Sequence, residues 1–137
     1  MAAQGGQSIS FSGISSGSFA AAQWCLVKST AVTSNGDPII ALSIGSSGSA
    51  AATIGVIQND PTDGQAAEVV RFGPSKVVAG ASISAGDPLA TSTAGTAITA
   101  NTTGQLIWGK ATSGATAAGQ VIEAFVHPRG IWAGSTA

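Results

Sequence analysis

The sequence predicts an all-β protein, a small β-barrel or β-sandwich with two pseudo-repeated halves and an extended N-terminal arm. Three observations predict it. First, Val and Ile number 21 against 4 Leu, and branching at Cβ stiffens χ1 and suits a pleated surface better than a helix. Second, the apolar clusters are short, with glycine-containing turns between them roughly every 8–15 residues, the kind of spacing expected of a barrel or sandwich. Third, two short motifs recur along the chain.

In chain order, strands are predicted over 8–11, 24–28, 39–44, 53–58, 68–72, 75–78, 89–91, 97–99, 106–110 and 121–126. Turns fall at Asn35-Gly36, Asp63-Gly64, Ala85-Gly86, Ala94-Gly95, Thr103-Gly104 and Ala118-Gly119, because glycine tolerates positive φ. The alanines at 20–22 give 18–25 only an isolated helical turn or an extended arm. Residues 1–22 carry no charged side chain and little apolar bulk, so they are read as a flexible N-terminal arm. Alone they cannot offset ~1–2 kcal/mol of backbone entropy per ordered residue. Residues 23–137 are read as a single β domain with a short C-terminal tail.

The repeat pairs Gly36-Asp37-Pro38-Ile39 with Gly86-Asp87-Pro88-Leu89, and Gly64-Gln65-x-x-Glu68 with Gly119-Gln120-x-x-Glu123. Proline cannot donate to a ladder and belongs at a strand start. Gly55 and Gly109 lie inside predicted strands in the same order in each half, as at a bulge or a close backbone approach.

Composition excludes several functions. A net charge of −1 from 5 Lys+Arg and 6 Asp+Glu leaves no basic footprint for nucleic acid. No apolar run reaches the ~18 residues of a membrane span, and no signal-peptide pattern opens the chain. With one cysteine (Cys25), one histidine (His127) and no tyrosine, neither an intrachain disulfide nor a multi-Cys zinc site can form, and acid–base chemistry is poorly supplied. The chain reads as a non-enzyme without metal or cofactor.

Local matches to catalytic motifs do not change this. Gly13-Ile14-Ser15-Ser16-Gly17 has the nucleophile-elbow pattern, but that motif needs a strand-to-helix turn in a large α/β sheet. Gly104 to Lys110 reads G-x4-G-K, yet Ala111 stands where a magnesium-binding hydroxyl belongs, and Gln-Leu-Ile-Trp reads as a strand. Asp37, Asp60, Asp63 and Asp87 sit in turns, where they cap their own backbone. Glu68 and Glu123 are strand-face charges or partners for Arg71 and Lys110.

What remains points to contacts with other subunits. Ala, Gly, Ser and Thr make up 76 of 137 residues, and Val, Ile, Leu and Phe only 29. An alanine methyl contributes about one methylene's ~0.8 kcal/mol on burial, against ~1.5–3 kcal/mol for Val or Ile. The core is therefore thin, and a bland low-charge surface meets other protein with little desolvation cost. Ile9, Phe11, Ile14 and Phe19 are isolated apolar pegs on the arm. Trp24 and Trp132 lie in segments short of apolar bulk, and large aromatics there suit interfaces. These six residues are the candidate interface, and a closed symmetric oligomer is expected because open self-addition at strand edges makes fibres.

The stretch Thr53-Ile-Gly-Val-Ile-Gln-Asn-Asp-Pro-Thr-Asp-Gly-Gln-Ala-Ala-Glu-Val-Val-Arg-Phe-Gly resembles the capsid cement (head decoration) proteins of tailed bacteriophages. So do Ser75-Lys-Val-Val-Ala-Gly-Ala-Ser-Ile-Ser-Ala-Gly-Asp-Pro-Leu and Gly119-Gln-Val-Ile-Glu-Ala-Phe-Val. The resemblance covers about 23–128. It implies a homotrimer, made in the host cytoplasm, that binds the outer surface of an expanded head and clamps adjacent major capsid subunits. In that family the arm often adds to the capsid's sheet. The alternative is a phage head or tail fibre module that binds a receptor or glycan.

Overall fold

The computed structural model describes residues 8–19, 22–42, 53–101 and 105–131, the last four as backbone only. Nine strands follow one another: β1 (Ile9–Ser15), β2 (Leu26–Val32), β3 (Pro38–Leu42), β4 (Thr53–Ile57), β5 (Ala66–Val78), β6 (Pro88–Thr91), β7 (Ala97–Thr99), β8 (Leu106–Ala111) and β9 (Val121–Ile131). No helix forms among the described residues. The all-β class is as predicted.

Five strands close into a barrel in the order β1-β3-β2-β4-β5, with β1 pairing back onto β5. β1 runs parallel to β3 and antiparallel to the first half of β5. The second half of β5 leaves this barrel and joins β9, β8, β6 and β7. There the end of β5 reaches β7 through a single parallel bridge, Ala79 to Ala97.

The predicted strands at 68–72 and 75–78 are thus one strand. Gly73 adopts φ 115° and Pro74 follows it where β5 passes from one sheet to the other. The missing proline N–H falls at a change of partner.

Two apolar cores result. Phe19, Val27, Ile40, Ile57 and Val69 fill the first barrel. Trp108, Leu89, Ile122 and Val126 lead the second, which also takes in Leu26, Val56 and Val70 from the outside of the first. β4 shows why: Gly55 and Ile57 point one way and Val56 the other, and all are buried. Such strands carry no alternation because both faces are covered.

The expected free arm differs from what forms over its described part. β1 is a wall of the first barrel, and the Phe19 side chain is 1% exposed in its core. The segment lacks apolar bulk but has two ladders to complete. The Ser10 and Ser12 hydroxyls both donate to the Glu68 carboxylate, at 2.7 and 3.1 Å. At Gly13 a Cβ would stand 2.6 Å from the Ile40 side chain and 2.7 Å from the Pro38 carbonyl oxygen, so the parallel contact with β3 depends on that glycine. The tail at 132–137 lies outside the described residues.

Of the two repeated motifs, one marks equivalent places. Gly64-Gln65 and Gly119-Gln120 each open a long strand, and each glutamine carboxamide accepts loop N–H groups, from Thr62 at 2.9 Å and from Thr116 at 2.7 Å. The Gly-Asp-Pro motifs both precede a strand, with Gly36 at φ 91° and Gly86 at φ 93°. However, β3 lies between β1 and β2, whereas β6 lies between β8 and β7. They are alike in letters and not in position.

Candidate functional site: exposed apolar surface

The residues that could carry chemistry are engaged structurally. Ser15 is buried and its hydroxyl donates to the Thr62 carbonyl. It sits at the far end of β1 from Ile9, which pairs with Phe72. The His127 ring stands 5.5 Å from that of Phe125. Asp87 accepts from the Ser84 N–H and the Thr99 hydroxyl and so caps its own turn as predicted, whereas Asp63 accepts the N–H of the remote Gly17 at 2.7 Å and ties two loops together. Lys110 lies within β8, which is a strand and not a phosphate loop. No group of three or more His, Cys, Asp and Glu among the described residues could hold a metal ion. Burial pushes the Cys25 thiol pKa up.

The six candidate interface residues do not form one surface. Ile9 is 54% exposed at the start of β1. Phe11 and Ile14 are half-buried, Phe11 against the first core. Phe19 belongs to that core and its N–H donates to the Pro61 carbonyl at 2.9 Å. Trp24 is half-buried against the second core, in a turn before β2, with φ 65° and the Lys76 ammonium 5.1 Å from its ring centre. Trp132 lies outside the described residues. The extended reading that placed Trp24 at a strand start had no signal for a left-handed tryptophan, which is uncommon for a bulky side chain.

Ile9 and Phe11 do meet at an open apolar cleft of about 600 Å³, together with Thr53, Ile54, Arg71 and Phe72. Beside it the Phe72 ring meets Phe125 edge-on, with centroids 5.3 Å apart. Phe72 and Phe125 are 45% and 36% exposed. Sequence reasoning singled out neither, because it looked for interface aromatics only on the arm and in segments short of apolar bulk. The signal was present: Val121, Glu123 and Phe125 share one face of a strand, and a glutamate there marks the solvated side.

No family model matches the chain, and no curated protein matches its sequence. Among solved structures, the head fiber gp8.5 N base of bacteriophage phi29 aligns with a TM-score of 0.63 at 20% sequence identity. The alignment covers 88% of this chain and 94% of that one. What this chain shares with that phage head-fiber base, over nearly the full length of both, is the fold.

Proposed function

We propose that the protein is a non-enzymatic structural component of a bacteriophage head. It binds the outside of the expanded capsid as a homotrimer and clamps adjacent major capsid subunits. The observation that carries this reading is the fold held in common with a phage head-fiber base over 88% of the chain. The exposed aromatics Phe72 and Phe125 and the low charge agree with a role in protein contact. The reading requires no cofactor, metal, nucleic acid or membrane.

The mechanism is additive contact. A standard interface buries about 1,600 Å², and a trimer attached at several points gains avidity from their simultaneity. Opening the shell then requires many contacts to break together.

The same structural likeness favours a second reading, in which the chain is the base of a head fibre whose receptor- or glycan-binding part lies elsewhere. Native mass and co-sedimentation with empty capsids separate the two. Cement binds expanded shells and not unexpanded ones, and raises the temperature at which they open. A fibre base binds shells without changing that temperature. A chain that ignores capsids of both kinds removes both readings.

A further inference from the structure

The two halves of the molecule match strand for strand once β1 is counted. β1 lies on the first half of β5 (Phe11 opposite Val69, Ile14 opposite Ala66) as the second half of β5 lies on β9 (Ser75 opposite Ala124, Val78 opposite Val121). β2, β4 and β5 meet through Leu26–Val56–Val70, and β6, β8 and β9 meet through Pro88–Lys110–Phe125 in the same register. In the β2–β3 turn the Thr33 hydroxyl accepts the N–H groups of Asn35 and Asp37. In the β6–β7 turn the Ser92 hydroxyl accepts those of Ala94 and Thr96. The Trp24 N–H donates to the Ile57 carbonyl at 2.9 Å, as the Gly86 N–H does to that of Ala111 at 2.8 Å. A Cβ on Gly55 would strike the Val70 carbonyl oxygen, and one on Gly109 that of Phe125. The halves are two copies of one five-strand unit that share β5 without a linker.

This equivalence singles out one surface. In the first unit the outer row Leu26, Val56 and Val70 is buried because the second unit sits on it. The matching row on the second unit is Pro88, half-exposed, with Lys110 and Phe125, both exposed. Phe72 packs edge-on against Phe125 and extends the apolar part. The fold therefore shows what this row does when it is covered: it seats a β-structured neighbour. Lys110, where the first unit has Val56, makes no ion pair among the described residues, and the row around it stays apolar.

We infer that the Pro88–Lys110–Phe125 row is the face that docks onto the major capsid protein, against an apolar patch with a carboxylate placed opposite Lys110. This rests on the capsid-binding reading. A cation at the centre of the row also discourages free chains from joining through it, while an acidic partner neutralises it.

Binding of the full chain to expanded capsids tests the assignment, with folding of each variant checked by circular dichroism. Lys110→Glu and Phe125→Ser should each raise the dissociation constant at least tenfold; the melting curve should be unchanged for Lys110→Glu and shifted down for Phe125→Ser, which loses the contact with Phe72, with the chain still folded at the binding temperature. Val32→Ser, at an exposed position on the first unit, should bind like the parent. Lys110→Val restores the residue of the first unit and should add concentration-dependent self-association beyond the parent's own oligomer. If the parent binds and both Lys110→Glu and Phe125→Ser bind equally well, the assignment is overturned and the capsid reading stands. If the parent does not bind, both fall. Loss of the parent's own oligomer in Lys110→Glu would make a second copy the occupant, and overturns the assignment to the capsid.

Discussion

Trp24 holds a backbone conformation that costs an L-residue roughly 1–2 kcal/mol, and it holds it at the turn where the second unit has Gly86. Its ring packs on the second core beneath Lys76, and its carbonyl accepts the Val78 N–H at 3.0 Å. Both Trp24→Gly and Trp24→Ala should destabilise the fold through lost packing, but the alanine variant by about 1 kcal/mol more, as read by urea titration. Gly55→Ala and Gly109→Ala should cost about 1–3 kcal/mol each, the usual range for overpacking, since the added methyl meets a backbone carbonyl that cannot turn aside. Trp108 is 1% exposed with its indole N–H unpartnered among the described residues. Trp108→Phe removes that donor along with some buried area, so its thermal denaturation should show a smaller loss than a large-to-small core change gives. Cys25 should resist alkylation in the native protein and react once the chain unfolds, because burial disfavours its thiolate.

β1 and β5 settle the architecture between them. β1 is the strand that closes the first barrel, so deleting 1–16 exposes the edges of β3 and β5 and opens a path to aggregation. Light scattering and circular dichroism on the truncated chain should show loss of the folded state, where a dispensable arm would leave both unchanged. The positions of most strands were legible in the sequence because Val, Ile and turn glycines mark them locally. The predicted strand at 97–99 matches β7, and the prediction at 53–58 lies within one residue of β4. β1 was read short and as part of an arm because what orders it is remote: Glu68 lies more than fifty residues from the serines that bind it. Phe19 looked isolated for the same reason, since its neighbours Ile40, Ile57 and Val69 arrive from three later strands. The repeat was legible at Gly-Gln-x-x-Glu, where loop closure demands those residues, and misleading at Gly-Asp-Pro, which suits any turn into a strand. Of the candidate interface residues, Ile9 is the one that is exposed among the described residues. Of the exposed pair, Phe125 was legible from Glu123 on the same face of β9, whereas Phe72 follows the buried Val70 on its face of β5 and only the pairing shows it to be outward.

The two units make one folding entity. Leu26, Val56 and Val70 belong to strands of the first barrel and to the core of the second, and the Thr53 and Thr91 hydroxyls share a buried hydrogen bond of 2.8 Å between them. Denaturation should therefore be a single transition by intrinsic fluorescence and by far-UV circular dichroism alike. Leu26→Ala should lower both together by about 2–5 kcal/mol, and separate transitions would show the units to be independent. Ladders such as Ser10 to Val70 join distant parts of the chain, and folding dominated by such pairings is slow, in the millisecond-to-second range.

β5 has a mechanical consequence. It is one strand through both units, paired antiparallel with β1 and β4 in the first and with β9 in the second, and these hydrogen bonds lie across its axis. Tension applied along that axis loads those bonds side by side, not one after another, and resistance to forced rupture is governed by the rate of unfolding. The molecule would therefore carry load along this strand as through a tie-rod, stiff in one direction and compliant across it.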